Sequence, residues 1–394
     1  MTASREHRLV RGWTVVQLIP TLGPGGAERS TMEIARALVA KGDRSVVISA
    51  GGRWVTRLKA EGSEHITLPI GSKSIGLVRT LFRLRACLKK LKPDIVHARS
   101  RLPAWLLRFA LIGLHPRPAL VTTVHGLNSV SAYSRIMTRA ERVIVVSNTA
   151  RDYVLENYPD TDPARIRVIP RGADPAEFPP GYEVAEEWCE QFFSDYPMLK
   201  EGPLLTLPGR GTRLKGHAEA IELLARLHAD GIQARLFLLG VDENRRDRYG
   251  AEMRQLAREF GVQKFVAMSP ARGDVRDIYA VSSLILQMSV RPESFGRVVA
   301  EALCQGRPVL GYDHGGVGEL LRELYPAGCV PPRDLEAACE RAKLLLHSPP
   351  PVDCSRVPKI TDLQRLTLSV YAELQNGSPV DPAFREGAVA GERS

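Results

Sequence analysis

Residues 13–41 read WTVVQLIPTLGPGGAERSTMEIARALVAK, and the order of residue types in this stretch settles the fold class. Trp13 to Ile19 is an apolar run of strand length, rich in β-branched residues, which reads as a strand buried on both faces. Gly23, Gly25 and Gly26 then turn the chain. From Ala27 to Lys41 the apolar period becomes helical, with Met32, Ile34, Ala35, Leu38 and Val39 on the inward stripe. A doubly buried strand followed at once by an amphipathic helix is the repeating unit of a parallel sheet covered on both sides.

The unit recurs. Strands are predicted at Ser45–Ser49, Ile95–His97, Leu120–Val124, Val143–Val146 and Ile166–Ile169. A helix is predicted over Ile75–Leu91, with Leu77, Leu81, Leu84, Leu88 and Leu91 on one stripe. Between 175 and 203, prolines and glycines punctuate an acidic stretch, which reads as an interdomain segment. The rhythm restarts with a strand at Leu204–Leu207 and a helix at His217–Ala229. Strands at Arg235–Leu239, Lys264–Met268, Leu284–Met288 and Pro308–Gly311 alternate with helices at Gly250–Phe260, Arg276–Ala280 and Phe295–Cys304. A last helix is expected over Thr361–Gln375.

A chain of 394 residues exceeds one ordinary core. The expectation is an α/β protein with two Rossmann-like, doubly wound parallel-sheet domains facing each other across a cleft. The expected boundaries are 1–178 for the first domain, 179–203 for the linker, 204–358 for the second domain, 359–376 for the closing helix and 377–394 for a flexible tail. Ligands of such sheets lie beyond the carboxyl ends of the strands.

Composition narrows the partners. The net charge is +10, and Gly71 to Arg117 alone carries eleven lysines and arginines against one acid, Asp94. An anionic surface or substrate met on one side of the molecule is implied. Phe82, Trp105 and Phe109 are the aromatics of that stretch, too few to interleave with bases, which argues against nucleic acid. The six cysteines are scattered without a C-x-x-C pair, so reduced thiols are expected and a zinc cluster is not. The opening residues show no secretory apolar core, and the run Leu102–Leu114 is too short to span a bilayer, so a cytoplasmic location is expected.

Three constellations can carry chemistry. Gly25 and Gly26 sit at a helix start, where backbone amides favour an anion, although a tight strand-to-helix turn accounts for them equally. In the second half, Arg210 and Lys215 straddle the loop Pro208–Gly216, from which both could reach one phosphate. Glu293 lies just before a helix opening near Ser294 to Gly296, and Glu301 follows eight residues later, about 80° past two full turns.

The ordered set GGAER, TVHG, VIPRGAD, GR-x4-KG, PESFG-x4-EAL and GGVGEL resembles glycosyltransferase family 4, retaining and metal-independent enzymes of the GT-B fold. The resemblance runs from Val15 to the last helix. HARSRLPAW and VIPRGAD are further similar to the subset that builds bacterial lipopolysaccharide cores. It implies that Arg210 and Lys215 bind the donor diphosphate, that Glu293 meets donor sugar hydroxyls, and that Glu301 holds the ribose. It also implies that Gly25 and Gly26 lie near the transferred sugar, that His125 borders sugar and acceptor, that the backbone of Ser294, Phe295 and Gly296 meets the distal phosphate, and that the last helix returns to the first domain. Glu293, His125, Arg210 and Lys215 are then the catalytic set. Arg99, Arg101, His125 and Arg171 are the acceptor candidates. The chain departs from the family pattern at Arg171, where asparagine is frequent, and at Arg297, where an aliphatic residue is common.

The implied activity moves a hexose from a UDP-, GDP- or ADP-linked donor to a lipid-linked or core saccharide, with no metal and no other cofactor. The implied partners are an anionic glycan or glycolipid and an anionic membrane face, with the enzyme peripheral on the cytoplasmic side. A nucleotide-sugar epimerase or hydrolase is the nearest alternative, and a basic binding module with a vestigial site is a further one. Asp160-Thr-Asp162 spells the D-x-D of metal-dependent transferases, but it sits in a proline-flanked loop and reads as a chance match.

Overall fold

A computed structural model describes residues 12–377 apart from 24, 73–75 and 242–247. These residues form two compact units, one drawn from 12–171 and 360–377, the other from 172–359.

In the first unit the chain runs β1 (Thr14–Leu18), α1 (Gly26–Lys41), β2 (Arg44–Ser49), α2 (Val55–Ala60), β3 (Glu64–Thr67), α3 (Leu77–Leu91) and β4 (Ile95–Ala98). It continues through α4 (Arg101–Ala110), β5 (Ala119–Val124), β6 (Arg142–Val145), α5 (Asn148–Asn157) and β7 (Ile166–Val168). The strands form one parallel sheet in the order β3-β2-β1-β4-β5-β6-β7. β1 lies inside it, Val16 pairing with Val46 on one side and Val96 on the other, and every residue of β1 is buried. Neither face nor edge of the strand meets water, so Val15, Val16 and Leu18 are apolar and the buried Gln17 finds its partners inside, at the Thr31 carbonyl and Arg99.

The second unit contains α6 (Glu186–Asp195), β8 (Leu204–Pro208), α7 (His217–Ala229), β9 (Arg235–Leu239), α8 (Arg248–Glu259), β10 (Val266–Ser269) and α9 (Val275–Val281). It is completed by β11 (Leu284–Gln287), α10 (Arg297–Cys304), β12 (Val309–Tyr312), α11 (Gly315–Leu324), β13 (Cys329–Val330) and α12 (Leu335–His347). Its parallel sheet runs β10-β9-β8-β11-β12-β13. The last helix, α13 (Ile360–Asn376), packs on the first unit, where Leu363, Leu366, Val370 and Tyr371 join Val15, Ile34, Ile95 and Val121 in one core cluster.

Several expectations change. The segment 179–203 is no linker: α6 lies within it, and Phe192 and Leu199 are buried with Leu204, Phe237 and Ile278 in the core of the second unit. Trp188 stacks on Phe192 and donates its indole N–H to Asp274, 3.0 Å away. The helix predicted from Phe295 starts at Arg297, because Gly296 has φ +126 and lies outside the helical region. Glu293 is therefore on a loop, and a helical angle between it and Glu301 has no meaning. On α3, Leu84 and Leu88 are buried while Leu77, Leu81 and Leu91 are half-buried; Ile75 lies outside the described residues, as does the tail beyond Gly377. All six cysteines are free thiols.

Candidate active site

In the second sheet the strand order reverses between β8 and β11, and the ligands of such sheets lie beyond the carboxyl ends of the strands at this point. The loop after β8 ends in Lys215, and the loop after β11 carries Glu293. Lys215 Nζ donates to Glu293 Oε1 at 2.6 Å, although 78 residues separate the two. The same carboxylate oxygen accepts from Gln287 Nε2 at 3.3 Å and from the Ser289 hydroxyl. Burial pushes the Glu293 carboxyl up, but Lys215 and the Ser289 and Gln287 donors outweigh it and hold the group below the usual carboxylate range.

The start of α11 braces this loop. Gly316 N–H donates to the Glu293 carbonyl at 2.7 Å, and a Cβ on Gly316 would lie 2.5 Å from Phe295 Cα. The GGVG sequence thus serves a close backbone approach. His314, which precedes α11, is hydrogen-bonded through Nε2 to the Ser289 carbonyl at 2.7 Å. Ser294 is half-buried, Phe295 is buried, and Gly296 caps α10, on which Glu301 is buried. Arg210 is exposed at the mouth of the β8 loop, and the structure brings Lys215 rather than Arg210 to Glu293. Beside them, His217 at the start of α7 is fully buried, its Nδ1 3.1 Å from the Tyr249 hydroxyl, and burial pushes its imidazole down to about 4.

The first sheet has its own reversal, between β1 and β4. Gly25 is the N-cap of α1. His125, just past β5, and Arg171, after β7, meet with Arg171 Nη2 2.6 Å from His125 Nδ1. Arg171 is buried and lies against Gly26. Arg101, at the start of α4, donates to the Ser134 hydroxyl at 3.1 Å and lies over the Tyr133 ring.

Arg99 corrects an expectation. It does not face outward toward an acceptor: it is buried, its guanidinium held on Gln17 Oε1 of β1, and burial lowers its pKa. With its side chain turned inward, Arg99 finds its acceptor on the neighbouring strand β1. Asp160 pairs with Arg139, while Asp162 accepts from the Ala164 amide, so the two acids of the D-x-D spelling serve separate local contacts. No group of three or more potential metal ligands occurs among the described residues.

Sequence reasoning missed Gln287, Ser289 and His314. Their role depends on which loops the sheet order brings together, and nothing in their own spacing signals it.

Two doubly wound parallel sheets of these strand orders, with a cation and a carboxylate converging at the switch point of the second, define the GT-B class. The chain belongs to the GT-B glycosyltransferases: residues 24–177 match Glycosyltransferase Family 4 and residues 190–356 match Glycosyl transferases group 1. The D-inositol 3-phosphate glycosyltransferase of Corynebacterium kroppenstedtii is 28% identical over 189 residues, covering 46% of this chain and 40% of that protein. The chain thus spans less than half the length of that curated relative. A glycosyltransferase structure from Rickettsia africae superposes with a TM-score of 0.80 at 26% identity, covering 93% of this chain and 100% of that one. The Anabaena protein HepE, solved in complex with UDP-glucose, shares the fold at a TM-score of 0.70 and 18% identity, covering 96% and 100%.

Proposed function

We propose that this protein is a retaining, metal-independent hexosyltransferase that uses a nucleoside-diphosphate sugar and an anionic, lipid-linked or core saccharide acceptor. The observation that carries this reading is the Lys215–Glu293 pair at the strand-order reversal of the second unit. Breaking the bond between the sugar C1 and the phosphate oxygen leaves both electrons on the diphosphate. A fixed ammonium aimed at that charge lowers the barrier. Glu293 holds the Lys215 ammonium in place before the donor arrives. Once the diphosphate takes the ammonium, Glu293 is left to accept hydrogen bonds from sugar hydroxyls. Arg210, exposed at the loop mouth, adds a second cation. The acceptor oxygen then forms the new bond to C1, and its proton passes to the departing diphosphate oxygen.

The acceptor half of the proposal rests on charge. Arg79, Arg83, Lys89 and Lys90 on α3 are exposed, beside Val78 and Phe82, 65% and 66% exposed. Ile112, just past α4, is 65% exposed. The one acid of this stretch, Asp94, accepts from the Thr14 amide at 2.8 Å, spending a carboxylate oxygen on β1. Among the described residues no helix is long and apolar enough to cross a membrane. A cationic face studded with apolar side chains suits peripheral attachment to an anionic leaflet, where each lysine or arginine is worth about 1 kcal/mol.

A panel of nucleotide sugars tests the donor half. The right donor raises the melting temperature by binding the native state, and product NMR then shows the donor's anomeric configuration retained. Inversion, or a requirement for Mg2+ or Mn2+ after EDTA treatment, contradicts the reading. Nucleotide release without acceptor indicates a hydrolase.

A further inference from the structure

Arg171 stands where the resembled family frequently has asparagine, and it is a buried cation, 7% exposed. Its Nη2 is 2.6 Å from His125 Nδ1, and its Nη1 occupies the space beside Gly26, 2.5 Å from where a Cβ would stand. Three segments of the first unit converge here: the end of β5 delivers His125, the end of β7 delivers Arg171, and the first residue of α1 leaves room for the guanidinium.

A guanidinium has donors and no acceptor lone pair. The contact is therefore a hydrogen bond with one direction, from Arg171 to an Nδ1 that carries no proton. A neutral imidazole has a single N–H, which then sits on Nε2. An asparagine at position 171 would leave the choice open, since its amide oxygen accepts from one tautomer and its amide nitrogen donates to the other.

We propose that Arg171 is a positioning residue that holds His125 as the Nε2–H tautomer, so that the ring offers the substrate a hydrogen-bond donor and does not act as the base for the acceptor hydroxyl. With Nδ1 occupied by Arg171 and Nε2 protonated, the imidazole has no lone pair left for a proton. Its partner is an oxygen of the bound substrate. The substrate part of this inference rests on the transferase reading; the tautomer does not.

The test uses the full chain labelled with 15N-histidine, with the His125 signals assigned by their loss in His125→Phe. At neutral pH the wild type is expected to show a pyridine-type Nδ1 and a pyrrole-type Nε2. Arg171→Asn is expected to give mixed tautomers, and Arg171→Lys, whose ammonium also only donates, to restore the wild-type pattern. In the kinetic arm, Arg171→Asn lowers kcat roughly tenfold with donor KM changed by less than about twofold, and Arg171→Lys recovers most of the loss. A pyrrole-type Nδ1, a doubly protonated ring at neutral pH, or an unchanged spectrum in Arg171→Asn overturns the proposal. The expected spectra together with no transfer from any donor would refute the transferase reading and leave the tautomer assignment standing.

Discussion

Lys215 and Glu293 show how much a single contact asks of its neighbours. Each is about a quarter exposed, so neither is a core residue, and removing either leaves the apolar packing intact. Lys215→Ala and Glu293→Ala are expected to fold normally and to lose about a hundredfold or more in transfer rate, the scale seen when one preorganised electrostatic contact is deleted. Initial rates on purified, spectroscopically native variants check this, and near wild-type turnover in either contradicts the donor-site assignment. These two residues were legible in the sequence because their motifs are long and ordered. Arg99 was misjudged because the carboxyl end of an interior strand can point inward as well as outward, and only the pairing with Gln17 decides which. His217 carries a pH signature. Its imidazole titrates at about 4 in the native state against about 6.5 in an unfolded chain, so between these values the unfolded chain binds the extra proton. Stability from this group is full above about 6.5 and is lost as pH falls toward 4, by up to about 3 kcal/mol. The Glu293 contribution, from a depressed carboxyl, is present above the usual carboxylate range and is lost as pH falls through its native value. In His217→Asn the fall in unfolding free energy between pH 7 and pH 4, measured by urea titration, is expected to be smaller than in the wild type. An equal fall removes His217 as a source of acid sensitivity.

At the scale of elements, α13 is the clearest case of agreement: the family resemblance implied a last helix returning to the first domain, and it packs there. Which residues it would meet was not readable, because its polar partners lie more than two hundred residues away. Tyr371 donates or accepts at His97 Nδ1, 2.7 Å away, and Glu373 binds Arg142 at 2.8 Å and Arg167 at 3.0 Å. Glu373 and Arg167 are both buried, so cutting the carboxylate leaves an uncompensated buried charge. Glu373→Ala is expected to lower the unfolding free energy by about 3 kcal/mol, and Tyr371→Phe by about 1 kcal/mol, since only a hydrogen bond is lost. Equilibrium denaturation checks both, and equal effects would mean that the ion pair adds nothing beyond packing. The segment holding α6 misled for a different reason: prolines and glycines flank it so densely that ten helical residues between them carried little weight. β3 and β13 escaped because a short edge strand need not be apolar on both faces, which erases the pattern that marks interior strands.

For the whole molecule, the excess of cations between Gly71 and Arg117 is a property no fold requires. The structure adds exposed Val78, Phe82 and Ile112 to the cationic α3–α4 region. Sedimentation with vesicles is expected to show binding to anionic but not neutral lipid, weakened by high salt and by Phe82→Glu. Equal binding to both lipids, or none to either, contradicts peripheral attachment. The parallel architecture itself was legible from residues 13–41 onward, since buried strands alternating with amphipathic helices permit few other arrangements. Donor and acceptor identity were not, because they depend on a handful of polar atoms at loop ends. The proposed transfer of a sugar from a nucleoside-diphosphate donor at the Lys215–Glu293 site is read out as nucleoside diphosphate release, followed in EDTA with and without an anionic saccharide acceptor, for the wild type and Glu293→Ala. Acceptor-dependent release by the wild type is expected, about a hundredfold slower in the variant. Release that ignores the acceptor, or that survives in Glu293→Ala, would contradict it.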